Sequence, residues 1–413
     1  MSGLRAQRLA ARRAERRRTA RRGAMVAAAS VVVAVGTATG MLSALDDRHA
    51  SDEAKPEVSS SPYLAPLPAV PTPSASPSPS ASASPHRKNL EKTPGSTPTP
   101  TKEEKAERAE KADNGVVREN GSTAFVSTGL YRHPQSQVLD WVRANSGDPR
   151  RAVIASRIAD QPAAVWFADY TPSTITARVR AVTSGAAAQG RVPVLVAYAI
   201  PGRDCGGASQ GGAPDLGAYD AWIDAFAAGL GSAEAVVILE PDSIAQAECL
   251  SSDRRSRRFA SLTRAGRVLK AANPKARVYY DAGHSGWNAA AKQATWLRQA
   301  GAASAASSDG VFSNVSNFHR TADEIAYDRQ VLESLGGPAS LGAVIDTSRN
   351  GNGAPPDGEW CDPSGRKIGR APTLNTGESR IDAFLWVKLP GESDGCKGSP
   401  GTFSPSYAYD LAR

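Results

Sequence analysis

Carboxylate side chains recur at one kind of position in this sequence, at or just after the ends of short apolar segments. The residues that share this placement are Asp169, Asp204, Glu240, Asp242, Asp281, Asp346, Glu392 and Asp394. A single carboxylate at such a position is most often a helix cap or a salt-bridge partner. Several carboxylates crowded into one cleft raise one another's pKa, so one of them stays protonated near neutral pH and can donate a proton. The pattern therefore predicts acid–base chemistry.

Seven short apolar runs are predicted to be the strands that position these carboxylates. They cover residues 164–168, 192–200, 235–240, 277–281, 310–314, 341–346 and 383–389. Amphipathic stretches that are predicted to be helices lie between most of them, at 174–189, 216–230, 253–272 and 321–335. This alternation predicts an α/β fold in which helices cover a parallel sheet.

Seven alternating strands fit either a closed (β/α) barrel, similar to a TIM barrel, or a doubly wound sheet. The sequence has no GxGxxG motif after the first strand and no P-loop, which disfavours the nucleotide-binding sheets and favours the barrel. The carboxyl ends of the strands in a parallel barrel open onto one face. The strand-end carboxylates are therefore expected to surround a single cleft.

Tryptophans are predicted at the rim of the same cleft, at or near the strand ends. They are Trp166, Trp287, Trp360 and Trp386. A tryptophan offers a large flat apolar face, which suits the face of a sugar ring. Cleavage of a glycosidic bond requires one carboxylic acid on the leaving oxygen and a second carboxylate for the water or the developing positive charge. The placement of the tryptophans therefore favours a cleft that binds sugar.

Five segments resemble the signature blocks of glycoside hydrolase family 6, the inverting cellulases. They are residues 196–206 (VAYAIPGRDCG), 240–243 (EPDS), 280–287 (YDAGHSGW), 346–351 (DTSRNG) and 386–395 (WVKLPGESDG). The likeness extends over about residues 117–413, in the family's order and spacing. The resemblance implies a distorted seven-stranded parallel barrel, hydrolysis of β-1,4-glucan with inversion, and no cofactor or metal.

Catalytic roles follow from the resemblance, residue by residue. Asp242 matches the general acid, and Asp204 matches the neighbour that keeps the pKa of the acid high and steers water. Asp394 matches the residue proposed as base, although the water can also be activated indirectly in this family. Tyr198 is expected to press on the distorted sugar, and Asp281 to act as a supporting carboxylate.

The resemblance also implies positions that bind glucan. They are Trp166, Ser209, His284, Trp287, Lys388 and Glu392, and Ser209 lies in a glycine-rich loop, 206–212, that is expected to close over the substrate. His133 and His319 are interpreted as structural residues, because no HxxxH or other metal-ligand spacing accompanies them.

The four cysteines, Cys205, Cys249, Cys361 and Cys396, predict two disulfides in an exported chain, with three possible pairings. Cys205 and Cys249 follow the predicted neighbouring strands two and three, and Cys361 and Cys396 flank the seventh. We therefore expect the pairs Cys205–Cys249 and Cys361–Cys396, and the family pattern agrees.

The loops that would roof the cleft are short, which predicts an open groove and cutting within the chain. Only 34 residues lie between Cys361 and Cys396, and the region between the third and fourth strands is compact. Exo-acting members of the family have long insertions there and resemble tunnels. An endo-β-1,4-glucanase is therefore expected. The alternatives are an exo-acting, cellobiohydrolase-type enzyme and a non-catalytic glucan-binding protein on the same fold.

Residues 1–45 predict an export signal or an N-terminal membrane anchor. Residues 1–23 contain nine arginines and one acidic residue, which accounts for the entire formal charge of +8. The rest of the chain is balanced, so the charge does not indicate nucleic-acid binding. Residues 24–45 form an apolar run long enough to span a bilayer.

Residues 46–115 are predicted to be a disordered linker, because residues 51–115 contain 12 of the 29 prolines and little that could form a core. Residues 116–413 are predicted to be the catalytic domain. We expect a secreted monomer whose partner is β-1,4-glucan. It would be a cell-surface protein if residues 24–45 are retained as an anchor.

Overall fold

Seven parallel strands form one sheet in the computed structural model, which describes residues 125–127 and 129–413. They are β1 (Val165–Phe167), β2 (Val194–Ala197), β3 (Ala235–Leu239), β4 (Ala276–Asp281), β5 (Gly310–Ser313), β6 (Gly342–Asp346) and β7 (Ile381–Leu385). Each strand pairs with the next one along the chain. The predicted signal or anchor and the predicted linker lie outside the described residues.

Eight α-helices occur in the part of the chain from residue 129 onward. They are α1 (Gln137–Ala144), α2 (Arg151–Ile154), α3 (Ile175–Ala187), α4 (Leu216–Ala227), α5 (Ser252–Ala272), α6 (Ala290–Gln299), α7 (Thr321–Leu335) and α8 (Pro405–Ala412). Local signals set several of their starts: the side chains of Asp215 and Ser251 accept the N–H of Ala218 and Arg254 at the beginning of α4 and α5. None of the described helices is both long enough and apolar enough to cross a membrane.

Both faces of the sheet are apolar. Alternate residues of a strand face opposite sides, and both sets are apolar here. In β3, Val236 and Ile238 pack inside the barrel, whereas Val237 and Leu239 pack in the layer between the sheet and the helices. Strands buried on both faces appear in a sequence as continuous apolar runs rather than as alternating patterns. The predicted α/β fold is confirmed.

The barrel is distorted between its outer strands, β1 and β7. The backbone N–H of Ala164 donates to the carbonyl oxygen of Trp386 at 2.9 Å, and the indole N–H of Trp166 donates to the carbonyl oxygen of Val387 at 2.7 Å. These two bonds join the strands without a ladder among the described residues. The distorted seven-stranded parallel barrel that the sequence predicted is confirmed.

Strand β2 is shorter than predicted, because a side chain takes the backbone donors that would continue it. The carboxylate of Glu240, just beyond β3, accepts the N–H of Ala199 at 3.0 Å and of Ile200 at 2.9 Å. β2 therefore ends at Ala197 rather than at Ile200. The residues that follow form the loop that carries Asp204.

Strand β7 lies at Ile381–Leu385, so the prediction of 383–389 was wrong at both ends. Beyond it, the carboxylate of Asp346 accepts the N–H of Val387 at 3.3 Å and of Lys388 at 3.1 Å. These donors therefore bond to a side chain rather than to a neighbouring strand, and the strand ends at Leu385.

Trp386 does not lie at the rim of the cleft, which corrects the sequence interpretation. Its side chain is buried and packs with Ile154, Leu389 and Ala408, and its indole N–H donates to the carbonyl oxygen of Arg370 at 2.9 Å. Trp386 therefore stabilises the packing of the terminal helices against the barrel and offers no face to a sugar.

Candidate active site

Asp242 stands in the turn that follows β3, in a left-handed backbone conformation with φ of 69°. Non-glycine residues rarely adopt this conformation, and it recurs at functional sites. The side chain is half-buried, and Tyr198 Oη donates to Asp242 Oδ2 at 3.5 Å. Burial, followed by the negative charges of Asp281 and Asp204, raises the pKa of Asp242 to about 8. Asp242 is therefore protonated at neutral pH.

Asp281 stabilises the turn that carries Asp242. Its buried carboxylate accepts the N–H of Ile244 at 3.0 Å, of Ala245 at 2.8 Å and of Gly283 at 2.9 Å. Two of these donors lie just after Asp242 in the chain. The same side chain therefore holds the acid's turn in place and supplies the nearby charge that disfavours ionisation of the acid.

Asp204 faces the acid from the loop that follows β2. Its Oδ2 accepts the N–H of Ser209 at 2.7 Å, and its Oδ1 accepts from Gln246 Nε2 at 3.3 Å. Arg203 donates through Nε to the carbonyl oxygen of Ser209 at 2.9 Å. The predicted mobile loop, 206–212, is thus fastened through Ser209 to Asp204 and Arg203 in this conformation.

Tyr198 and Trp166 form an aromatic corner beside the acid. Their ring centroids lie 5.3 Å apart with the rings at 89°, and the guanidinium of Arg203 lies over the Tyr198 ring at 4.3 Å. The Arg203 guanidinium also donates to the carbonyl oxygens of Tyr198 and Ala168. Burial and the neighbouring carboxylates raise the pKa of Tyr198, so its hydroxyl remains a hydrogen-bond donor.

Asp394 lies in an opposite environment, in the segment that follows β7. Its Oδ2 accepts from Arg349 Nη1 at 2.7 Å and from the N–H of Asp362 at 3.1 Å, and its Oδ1 lies 3.5 Å from Lys388 Nζ. Arg349 is completely buried and Asp394 is 8% exposed, so this ion pair is shielded from water. Two cations and one backbone donor thus converge on this carboxylate.

Glu392 is a half-buried carboxylate in the same segment. Burial raises its pKa to about 7, with Lys388 and Arg349 opposing the rise and Asp394 adding to it. Lys388 also donates through Nζ to the carbonyl oxygen of Ser393 at 3.1 Å. The side chains of Lys388 and Glu392, both predicted to bind glucan, therefore belong to one charged group with Asp394.

His284 and Trp287 lie in the loop after β4, with their ring centroids 5.2 Å apart. His319, which the sequence analysis had interpreted as structural, stacks on His284 at 4.2 Å. Burial, and then the charge of His319, lowers the pKa of His284 to about 3, so the imidazole is neutral. A neutral imidazole can donate to or accept from a sugar hydroxyl without carrying charge. Gly283 permits the loop, since a Cβ there would lie 2.8 Å from that of Ala245.

The structure distinguishes among the strand-end carboxylates that the sequence could only group. Glu240, Asp281 and Asp346 are buried and accept backbone N–H groups from neighbouring loops, so they act as supports. Asp204 and Asp242 are half-buried, and the charge of Asp204 contributes to the raised pKa of Asp242. The catalytic roles of Asp242, Asp204 and Asp394 stay predictions, and the geometry is compatible with each of them.

Two residues with direct contacts to Asp394 were not recognised in the sequence analysis. Arg349 lies inside the 346–351 block, so its position beside a strand-end carboxylate was a usable signal. Asp362 offered no signal except its place next to Cys361. Among the described residues, no group of three or more histidine, cysteine or acidic side chains could hold a metal ion.

Both predicted disulfides are present. Cys205 is bonded to Cys249, which links the loops after β2 and β3, and Cys361 is bonded to Cys396, which links the loop before β7 to the segment after it. Each disulfide thus lies beside one of the carboxylates already described: Asp204 precedes Cys205, and Asp394 lies two residues before Cys396. The exposed Trp360 precedes Cys361.

Comparison with known proteins adds to this geometry. The family model described as "Glycosyl hydrolases family 6" matches residues 120–409. Endoglucanase 1 of Streptomyces sp. (strain KSM-9) is 53% identical over 71% of this chain and 80% of its own length. Endoglucanase A of Thermobispora bispora is 51% identical over 68% of this chain and 61% of its own length.

Solved structures show the same fold. An endoglucanase from Mycobacterium tuberculosis, in complex with methyl-cellobiosyl-4-deoxy-4-thio-β-D-cellobioside, is 40% identical with a TM-score of 0.64. The match covers 70% of this chain and 97% of that one. Relatives named as cellobiohydrolases are more distant: the "Probable 1,4-beta-D-glucan cellobiohydrolase C" of Neosartorya fischeri is 30% identical over 59% of this chain and 63% of its own length.

Proposed function

This chain belongs to glycoside hydrolase family 6 and is an endo-β-1,4-glucanase, and from that premise we propose that Asp242 is its general acid. The observation that carries the proposal is the environment of Asp242: it is half-buried beside two carboxylates, and its pKa is raised to about 8. A general acid must hold its proton at the working pH and release it to the leaving oxygen. At neutral pH Asp242 meets the first condition.

The reaction proceeds with inversion in this proposal. Asp242 protonates the oxygen between two glucose units, while a water attacks the anomeric carbon from the opposite face of the ring. Asp204 raises the pKa of the acid and orients water. Asp394 accepts a proton from the attacking water through Oδ1, since its Oδ2 is occupied by Arg349 and by the N–H of Asp362.

Substrate binding is assigned to the residues around these carboxylates. Tyr198 presses on the distorted sugar at the point of cleavage, with Trp166 packed edge-on behind it. Trp287 supplies an apolar face, and the neutral imidazole of His284 a hydrogen bond. The other proposed contacts come from Ser209, Lys388 and Glu392.

Carboxymethyl cellulose hydrolysis by the full chain and by Asp242→Asn tests the acid assignment. The variant keeps the shape of the side chain but cannot donate the proton, so kcat should fall by about 10²–10⁴-fold. Asp410→Asn, at an exposed aspartate paired with Arg413, is the matched control and should keep full activity. Full activity of Asp242→Asn on unactivated glucan would contradict the assignment.

Two further measurements test the mode of action. Viscosity should fall quickly relative to the release of reducing ends, because internal cuts shorten the polymer early. Proton NMR of the early products should show the α-anomer first if the reaction inverts. A first appearance of the β-anomer would overturn the inverting mechanism.

We also propose that the protein is secreted and monomeric, with residues 24–45 either removed during export or retained as an anchor. The support comes from the sequence, where an arginine-rich segment precedes an apolar run and a proline-rich linker. Mass spectrometry of the N-terminus of the exported protein distinguishes cleavage from retention. Finding the protein only in the cytosol would contradict both alternatives. Light scattering tests whether the protein is a monomer.

A further inference from the structure

Asp362 is a buried carboxylate to which the mechanism above assigns no role. It follows Cys361 in the connection between β6 and β7, is 3% exposed, and has a left-handed backbone with φ of 49°. A buried charge is costly unless hydrogen bonds satisfy it, and a strained backbone persists only where the surroundings demand it. Both features indicate that the surrounding structure fixes the position of this side chain.

The contacts of Asp362 all lie on the segment that carries Asp394. Its carboxylate accepts from Ser393 Oγ at 2.6 Å, from the N–H of Asp394 at 2.7 Å, of Lys397 at 2.8 Å and of Cys396 at 3.0 Å. In return, the N–H of Asp362 donates to Asp394 Oδ2 at 3.1 Å. The two aspartates therefore bind one another reciprocally, each through its own backbone N–H.

These bonds control which oxygen of Asp394 remains available. The backbone of Asp394 is tied to the Asp362 carboxylate, and its Oδ2 is held by Asp362 from one element and by Arg349 from another. With both the main chain and Oδ2 fixed, rotation of the side chain is restricted. Oδ1 is then the oxygen left to face Lys388 and the water.

The disulfide Cys361–Cys396 connects the same two segments but leaves the direction of Asp394 undetermined. It fixes a Cα–Cα separation of 5.8 Å between Cys361 and Cys396. Cys361 is adjacent to Asp362, and Cys396 lies two positions after Asp394. Residues 395–400 are exposed, and the backbone N–H groups of Cys396 and Lys397 bond to the carboxylate of Asp362. The covalent link sets proximity, whereas the hydrogen bonds to Asp362 set orientation.

We propose that Asp362 is the positioning residue for Asp394, which it orients so that Oδ1 meets the attacking water. The inference rests on the proposed role of Asp394 at the water. It adds a residue that touches no substrate yet determines the rate. Outer groups that orient metal ligands typically change activity by about 10–100-fold when they are altered, and we expect an effect of similar size from Asp362.

Steady-state kinetics of Asp362→Asn on a soluble glucan tests the inference. The amide keeps the size of the side chain but points an N–H₂ group at backbone N–H donors. We expect kcat to fall about 10–100-fold with KM nearly unchanged. Asp357→Asn is the matched control, because Asp357 is exposed in the same connection and accepts the N–H of its near neighbour Glu359 at 3.2 Å. Its kcat should not change.

A double-mutant cycle separates a positioning role from a merely structural one. If Asp362 acts through Asp394, Asp362→Asn combined with Asp394→Asn should be no slower than Asp394→Asn alone. Multiplied losses would overturn the inference, as would an unchanged kcat in Asp362→Asn. Full activity of Asp394→Asn would instead contradict the proposed role of Asp394, so the two failures are distinguishable.

Ser393→Ala keeps the inference testable if Asp362→Asn does not fold. It removes one of the four hydrogen bonds to the Asp362 carboxylate and should lower kcat several-fold, again without effect in the Asp394→Asn background. Removal of the disulfide by Cys361→Ser with Cys396→Ser should lower kcat less than Asp362→Asn does. A larger loss from the disulfide variant would mean that the tether, rather than Asp362, orients Asp394.

Discussion

The two sides of the cleft hold their aspartates in opposite electrostatic environments. On the β3 side, Asp242 lies beside Asp204 and Asp281, and burial together with these charges raises its pKa to about 8. On the β7 side, Asp394 lies between Arg349 and Lys388. The same residue type is thus a carboxyl group with a raised pKa on one side and a paired anion on the other, and the neighbouring charges make the difference.

The two sides resemble one another in how they are supported. On each side, a second, buried aspartate accepts hydrogen bonds from the backbone around the first. Asp281 accepts the N–H groups of the two residues that shortly follow Asp242, and Asp362 accepts the N–H of Asp394 itself. The difference lies in the charges that face the functional carboxylate. A rigid turn is therefore common to both sides, and the nearby cations or anions set the chemistry.

The largest expected effect is the loss of the buried cation from the β7 side. Arg349→Met leaves the Asp394 carboxylate buried without its main partner, so the free energy of unfolding should fall by about 3–5 kcal/mol. Urea denaturation measures the change. Arg264→Met, at a 40% exposed arginine paired with Asp224, should cost about 1 kcal/mol or less. Equal losses would show that the buried pair contributes no more to stability than the exposed one.

The disulfides should contribute similarly to stability on both sides, despite the opposite charges. They span separations of 44 and 35 residues, and the entropy of loop closure depends only on the logarithm of that length. Replacing both cysteines of either pair by serine should lower the free energy of unfolding by about 2–4 kcal/mol. Chemical denaturation of the two double variants decides, and a difference greater than about 2 kcal/mol would contradict the entropic account.

Removing the acid should stabilise the protein at alkaline pH. The pKa of Asp242 rises from 3.8 to about 8 on folding, so its proton contributes stability that is fully present below about pH 4 and is lost progressively as the pH rises to about 8. Asp242→Asn cannot ionise and should unfold with a free energy higher by about 1–3 kcal/mol at pH 8 than wild type, but not at pH 4. Urea denaturation at both pH values measures this, with Asp410→Asn as control. If the free energy of unfolding depends on pH in the same way for wild type and Asp242→Asn, the pKa of Asp242 is not raised by folding.

The smallest expected effect is a shift in the alkaline limit of activity. Asp204→Asn removes a charge that raises the pKa of Asp242, so activity should decline at a lower pH than in wild type. Tyr198→Phe removes a hydrogen bond that lowers this pKa, so the decline should move to higher pH. Profiles of kcat/KM against pH should show shifts of up to about one unit, in opposite directions. Shifts in the same direction would contradict the assignment of the alkaline limb to Asp242.

The comparison between the two sides also shows where sequence reasoning reached its limit. The strand-end positions of Asp204, Asp242 and Asp394 were visible because apolar runs and their ends are local features. The ion pair between Arg349 and Asp394 joins residues 45 positions apart, and no local pattern encodes it. Trp386 was misplaced for the same reason, since its burial depends on packing against the terminal helices.

The sequence by itself determined the parallel α/β architecture, because apolar segments that alternate with amphipathic ones leave few other solutions. The predicted order of the strands, together with the family resemblance, then favoured one of the three cysteine pairings. Only the tertiary structure decided which carboxylates support loops and which face the cleft. It also decided where β2 and β7 end. The physical reason is the same in each case: a carboxylate from a neighbouring strand competes for backbone N–H groups, and the folded chain alone brings that carboxylate within reach.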